Sequence, residues 1–222
     1  LDGTGPEGGH TTFRPPFAPV TFGAIAGRYI GPLLEPVRRT PMHGWHQSNS
    51  AVFELVGQWH RPYYTPQNGE NMQQAVDREV RAARTGLGIM DATTLGKIDI
   101  QGPDARQFLN LLYCNGFRTL AIGKARYGLM LREDGILYDD GTTSRLGEDR
   151  YLMTTTTNNA AGVLAHMEFH HQCVWPDLDV QFCSVTEQWA GLAVAGPNSR
   201  KVLSQALPGI VLDLSLIHIS EP

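Results

Sequence analysis

No apolar run in this chain approaches the roughly 18 residues that a membrane-spanning helix needs, so no helical span is encoded. Cysteine is scarce. Cys114, Cys173 and Cys183 are odd in number and lack CxxC spacing, which fits reduced thiols in a cytoplasmic protein better than a disulfide framework. Positive charge is not in excess: a formal net charge of −4 and a pI near 6.1 argue against a nucleic-acid partner. No GxGxxG follows an apolar strand, so a flavin- or nicotinamide-type dinucleotide site is not encoded either. There is no signal peptide and no low-complexity tract. The chain opens at Leu1 rather than at methionine and reads as a fragment.

What remains is globular: 222 residues, 41% apolar and 18% charged, enough for one large domain. The most informative stretch is residues 126–157, RYGLMLREDGILYDDGTTSRLGEDRYLMTTTT, which reads as three consecutive strands. Asp134-Gly135 predicts a tight type I′ turn with positive φ at both central residues. Residues 146–149 form the second turn, and Leu129/Leu131, Ile136/Tyr138 and Tyr151/Met153 recur at period two. Such a meander places Asp139 and Asp140 beside the faces of Tyr127 and Tyr151.

The N-terminal 1–41 differ from the rest, being rich in Gly and Pro, and read as a linker or arm. His43, Trp45, His46, Trp59 and His60 surround a strand centred on residues 52–55 and read as aromatic packing, because their spacing matches no familiar ligand set. A helix runs from about Glu70 to Thr85, with Met72, Ala75, Val76, Val80 and Ala83 on its apolar side, Arg78, Arg81 and Arg84 solvated, and Gly86 as its stop. Strands are expected at 88–91 and 97–101, then a helix from Gly102-Pro103-Asp104 through Tyr113 with Phe108, Leu109, Leu111 and Leu112 as its apolar side. After the meander, Asn158 or Asn159 caps a helix to about His171, and strands follow at 178–185 and 189–195. His166 and His170 stand four apart, a spacing able to hold a metal, although an exposed helix face explains it as well. Ile98, Ile100, Gly102, Pro103, Arg106 and Leu109 are echoed at identical spacing by Leu192, Val194, Gly196, Pro197, Arg200 and Leu203. Repeated strand–helix units of this kind point to an α+β fold with ferredoxin-like split βαβ elements.

Several of these stretches together resemble a known family. GLGIMDATTLGKIDIQGPDARQFLNLLYCN, ARYGLMLREDGILYDDG and GLAVAGPNSRKVL are similar to the folate-binding aminomethyltransferase domain of the glycine-cleavage T-protein superfamily. FRPPFAPVTFGAIAGR, TPMHGWH and YLMTTTTNNAAGVLAHME are similar to the branch formed by α subunits of heterotetrameric sarcosine oxidases. The resemblance implies a T-protein-like folate-binding fold over 42–214, incomplete at the C-terminus, with SLIHISEP at 215–222 reading as a non-native, adapter-derived tail. It implies that tetrahydrofolate takes a one-carbon unit from an iminium formed by oxidation of sarcosine, giving 5,10-methylenetetrahydrofolate. FAD, FMN and NAD are then expected elsewhere in the complex, and the partners are other oxidase subunits and a small amine, with no nucleic acid and no membrane.

Carried over by position, the family's carboxylate falls on Asp139, four residues after Gly135, with Asp140 as the alternative because one register slip exchanges the face each presents. The folate-lining positions fall on Leu95, Tyr127, Tyr151, Met153 and Thr155, the last standing where the T-protein has Asn. The residues alone leave other readings open: solvated hairpin aspartates, and a plain core for Tyr127, Tyr151 and Met153. A folate-binding scaffold without catalysis also remains open, as does a metal-dependent hydrolase using Asp134, Asp139 and Asp140.

Overall fold

A computed structural model describes residues 37–209, so the readings of the arm before residue 37 and of the tail at 215–222 lie outside the described residues. The order is α1 (His43–Ser48), β1 (Val52–Val56), β2 (Trp59–Tyr64), α2 (Met72–Thr85), β3 (Gly88–Asp91), β4 (Gly96–Gln101) and α3 (Ala105–Leu112). It continues with β5 (Ala125–Leu131), β6 (Leu137–Arg145), β7 (Arg150–Thr155), α4 (Ala160–Phe169), β8 (Gln181–Ser184), β9 (Leu192–Ala195) and α5 (Ser199–Ala206). A π-helical turn, His170–Val174, extends α4.

The centre is a five-stranded sheet in the order β5-β6-β7-β4-β8, in which every neighbouring pair is antiparallel. The pairs β1–β2 and β3–β9 form two small separate sheets. One face of the large sheet is the core. Ile98 and Ile100 of β4, Met130 of β5, and Tyr151 and Met153 of β7 pack with Phe108, Leu109 and Leu112 of α3 and Val163 and Met167 of α4. Ala105, Phe108, Leu109 and Leu112 recur at the spacing of one helical stripe, which is why α3 buries one side. Leu111, expected on that side, is instead 47% exposed, because it falls outside the stripe. Full burial of each large side chain contributes about 1.5–3 kcal/mol.

The three strands of the meander form as expected, but the first turn differs. Gly135 N–H donates to Arg132 O at 2.9 Å and Arg132 N–H to Ile136 O at 2.9 Å, so residues 133–135 make a three-residue loop. Only Gly135 (φ +80°) has positive φ; Asp134 does not, and a type I′ turn is therefore absent. The loop has the bonding of a turn followed by a left-handed glycine. Helix α2 starts two residues later than expected, because Asn71 and Gln74 form a reciprocal capping box. Its apolar residues are only partly covered: Ala75 is buried, Val76 and Ala83 are half-buried, and Met72 and Val80 are exposed. Arg78 is not simply solvated, since it pairs with Glu70 at 2.9 Å and donates to Thr65 O.

The internal echo is structural. Asp104 N–H donates to Asp179 O at 3.2 Å, and Asn198 N–H to Gly86 O at 3.0 Å, so each Gly-Pro helix start is tied to the residues just before the strand's neighbour. Gly102 (φ +133°) and Gly196 (φ +120°) make the same bend. A Cβ at Gly102 would lie 2.3 Å from Asp179 O, and one at Gly196 2.6 Å from Gly86 O, so only glycine fits either place.

Candidate functional site

Strand β6 carries both aspartates, and the pleat sends them to opposite faces of the sheet. Asp139 is opposite Met130 and on the core face with Thr143 and Arg145; it is 5% exposed. Its carboxylate accepts from Thr156 twice, from Oγ1 at 2.6 Å and from the backbone N–H at 3.2 Å. Asp140 is opposite Leu129 on the other face. There it accepts a hydrogen bond from the phenol of Tyr127, whose ring is 41% exposed. That hydrogen bond holds the Tyr127 phenol above its ordinary pKa, reinforced by partial burial and by the negative charges of Asp140 and Asp139.

The sheet therefore divides the seven expected site residues. Tyr127 and Asp140 share the open face, and Leu95, 36% exposed, stands in the connection leading into β4. Asp139, Tyr151, Met153 and Thr155 are on the core face, and Tyr151 and Met153 expose nothing. Tyr113 donates its hydroxyl to Met153 Sδ at 2.9 Å; burial, and then the charge of Asp139, pushes the Tyr113 pKa well up. The expected juxtaposition of Tyr151 with the aspartates does not form, because Tyr151 pairs across from Arg145 and Ile100 and its ring lies under the Arg145 guanidinium. Asp134 is removed from both, paired with Arg132 at the hairpin tip at 3.0 Å. Among the described residues, no group of three or more His, Cys, Asp and Glu is placed to hold a metal.

On the open face, Thr142 and Thr154 extend the polar patch, with their hydroxyl oxygens 3.0 Å apart. Asp99 accepts two bonds from Arg150, at 2.6 and 3.2 Å. Two surface grooves, one along α3 and one along α2, contain none of the seven residues. Among the described residues, the candidate site is an open sheet face.

The residues that hold this face together were missed from the sequence. Lys97, 5% exposed, donates to Thr93 O at 2.6 Å and Leu95 O at 3.0 Å and thereby fixes the loop carrying Leu95. Burial lowers its pKa, opposed by the charges of Asp91 and Glu187. Asp91 anchors the other end of that loop, accepting from Thr93 N–H at 3.1 Å, with His46 Nε2 at 3.3 Å. Burial alone would raise the Asp91 pKa, but the nearby Thr40 hydroxyl, the hydrogen bond from Thr93 and the nearby His46 outweigh it and hold the carboxyl low. His166 and His170 do not make an exposed face: they are half-buried and in tilted contact, with ring centres 4.2 Å apart and planes at 57°, between Tyr138 and Trp175.

Residues 42–218 match the family described as the GCVT N-terminal domain (GCV_T). The chain belongs to that family. It is 55% identical over 204 residues to the sarcosine oxidase subunit alpha of Corynebacterium sp. (strain P-1), covering 92% of this chain and 21% of that subunit. It is 51% identical to the same subunit of Rhizobium meliloti (strain 1021), covering 93% of this chain and again 21% of that one. The chain thus spans about a fifth of the length of these relatives. Among solved structures, this GCV_T chain superposes on the glycine cleavage system aminomethyltransferase T from Bartonella henselae with a TM-score of 0.66 at 25% identity, covering 77% of this chain and 44% of that one. The mixed α+β architecture is that of the T-protein N-terminal domain. No helix among the described residues is long and apolar enough to cross a membrane.

Proposed function

We propose that this chain is the folate-handling part of a sarcosine oxidase α subunit, and that Asp140 is its reacting carboxylate. The observation that carries this reading is the open face of β5 and β6, where the Tyr127 phenol donates to the Asp140 carboxylate beside a half-exposed aromatic ring. A flat ring system bearing amines suits such a surface: the tyrosine ring and Leu95 offer apolar contact, and the carboxylate offers an acceptor. Tetrahydrofolate, when bound, would supply the nitrogen nucleophiles that take the one-carbon unit from the iminium of oxidised sarcosine, giving 5,10-methylenetetrahydrofolate and releasing glycine as the leaving amine.

The chain's own residues do the rest. Asp140 receives the proton released from the attacking amine and offsets the positive charge of the iminium. Tyr127 holds that carboxylate in one orientation through its hydroxyl and presents its ring as a wall. Asp139 is already committed to Thr156 and is turned into the core, which favours Asp140 over the carboxylate first indicated by position. Oxidation of the amine, with FAD, FMN and NAD, belongs to other parts of the heterotetrameric complex.

The test is calorimetric titration of tetrahydrofolate into the full-length α subunit, with methylenetetrahydrofolate measured from sarcosine in the assembled complex. Binding together with a methylene yield matching sarcosine consumed is expected. A subunit that does not bind tetrahydrofolate overturns the reading.

A further inference from the structure

We infer that Asn68 is a spontaneous modification site, where the side-chain amide is converted to a mixture of aspartate and isoaspartate, while the fold holds the chemically equivalent Asn115 inert. The sequence carries two Asn-Gly pairs, Asn68-Gly69 and Asn115-Gly116. Glycine favours the reaction at both, because no Cβ hinders the approach of its backbone nitrogen to the asparagine side chain. Sequence alone therefore gives the two pairs equal standing, and the structure separates them.

The type I′ geometry absent from the meander is found between β2 and α2. Asn68 (φ +47°) and Gly69 (φ +76°) are the central residues of a turn closed by Glu70 N–H to Gln67 O at 2.9 Å. Both are exposed, and a Cβ at Gly69 would meet nothing within 4 Å. Among the described residues, no hydrogen bond engages the Asn68 side chain or the Gly69 N–H. The base of the loop, by contrast, is tied to α2. Arg78 donates to Thr65 O at 2.7 Å and to Glu70 Oε2 at 2.9 Å, and Thr65 N–H donates to Glu79 Oε1 at 2.9 Å. The result is a free tip on a fixed base. Leaving the left-handed region costs Asn68 little, since that region is intrinsically unfavourable to an L residue.

Asn115 is half-buried and committed. Its Oδ1 accepts from Leu129 N–H at 2.8 Å and from the Cys114 thiol at 3.4 Å, and Cys114 N–H donates to Leu129 O at 3.1 Å. Turning its side-chain carbonyl toward Gly116 would strip Leu129 N–H of its acceptor, a loss that slows cyclisation about tenfold or more.

At Asn68 the reaction consumes only water. The deprotonated Gly69 nitrogen bonds to Asn68 Cγ, the bond from Cγ to the amide nitrogen breaks, and ammonia leaves with the proton that Gly69 lost. Water then opens one of the two C–N bonds of the cyclic imide, giving aspartate or isoaspartate with no change of oxidation state. The isoaspartyl form carries an additional carbon in the main chain. A two-residue turn cannot absorb it and keep the bond from Glu70 to Gln67, so the loop between β2 and α2 loosens.

The experiment holds the full-length subunit, within its complex, at mildly alkaline pH for several days, beside a sample unfolded in urea. Peptides covering residues 65–71 and 113–118 are followed by mass spectrometry, with electron-transfer fragmentation to separate the two isomers. In the folded complex Asn68 should convert at least about tenfold faster than Asn115, and in urea the two rates should agree within about threefold. Isoaspartate should be among the products at Asn68, and the rate should rise with pH. Asn68→Gln should stay unconverted, because its ring would be larger, and should leave the rate at Asn115 unchanged. Hydrogen exchange at 65–71 should be faster in the aged parent than in the fresh one, and equal in aged and fresh Asn68→Gln. Asn68 intact in the folded complex while it converts in urea would overturn the inference. So would equal folded rates at Asn68 and Asn115, or a product free of isoaspartate.

Discussion

Replacing Gly141 with alanine isolates the contact between the two strands that frame the candidate site. A Cβ at Gly141 would lie 2.1 Å from the backbone oxygen of Thr154 and 2.8 Å from its carbonyl carbon. An ordinary carbon–oxygen contact needs about 1 Å more than the first of these. The obstacle is backbone, so β6 and β7 must separate. Separation strains the three short contacts that knit them there: Thr142 N–H to Thr154 Oγ1 at 2.9 Å, the paired hydroxyls at 3.0 Å, and Thr154 Oγ1 to Thr142 O at 3.1 Å. Overpacking costs about 1–3 kcal/mol, and each weakened hydrogen bond up to about 1 kcal/mol more. The expected destabilisation is about 2–5 kcal/mol, which lowers the Tm by roughly 5–15 °C in a domain of this size. Gly147→Ala is the control, because its Cβ would sit at an ordinary 3.7 Å from Arg150 Cβ and its φ is not positive. That variant should stay within about 0.5 kcal/mol of the parent. Urea unfolding and thermal melts of the two proteins measure the difference. A Gly141→Ala protein as stable as Gly147→Ala would refute the close approach of β6 and β7.

Other consequences follow from the same packing. Phe108→Ala removes a fully buried ring stacked on Phe182 with centres 5.4 Å apart, and should cost about 3–5 kcal/mol in urea unfolding. Asp91 has a folded pKa below its unfolded value, so its contribution is full above about pH 4 and is lost as pH falls through the lower folded value. Asp91→Asn should therefore flatten the acid limb of a stability–pH profile measured between pH 2 and 6. Gly135→Ala meets open space but keeps φ near +80°, so it should cost about 1 kcal/mol with no change in packing.

Period-two apolar residues such as Leu129, Leu131, Tyr151 and Met153 made the meander readable, and the i, i+3, i+4 stripe of Phe108 and Leu109 did the same for α3. The Gly-Pro echo was readable because a positive-φ bend before a helix needs glycine at both Gly102 and Gly196. The facing of the two aspartates was not readable. Strand β6 runs LYDDGTTSR, and its core face carries Asp139, Thr143 and Arg145, so no apolar alternation marks which side is inward. Burial on that side is sustained by side-chain bonds to Thr156 and, through Arg145, to Leu120 O and Glu148 O, which involve residues far along the chain or beyond the turn. For the same reason Tyr151 and Met153 could be placed on a strand but not on a face. The exposed side of α2 escaped notice because Met72 and Val80 have helical spacing whether or not anything covers them.

The most direct test of the account is methylenetetrahydrofolate produced per sarcosine oxidised by the assembled complex carrying Asp140→Asn, set against the parent. With Asp140 as the reacting carboxylate, sarcosine is still oxidised while the rate of methylenetetrahydrofolate formation falls about a hundredfold to ten-thousandfold. An Asp140→Asn complex that keeps the parent's methylene yield would contradict it.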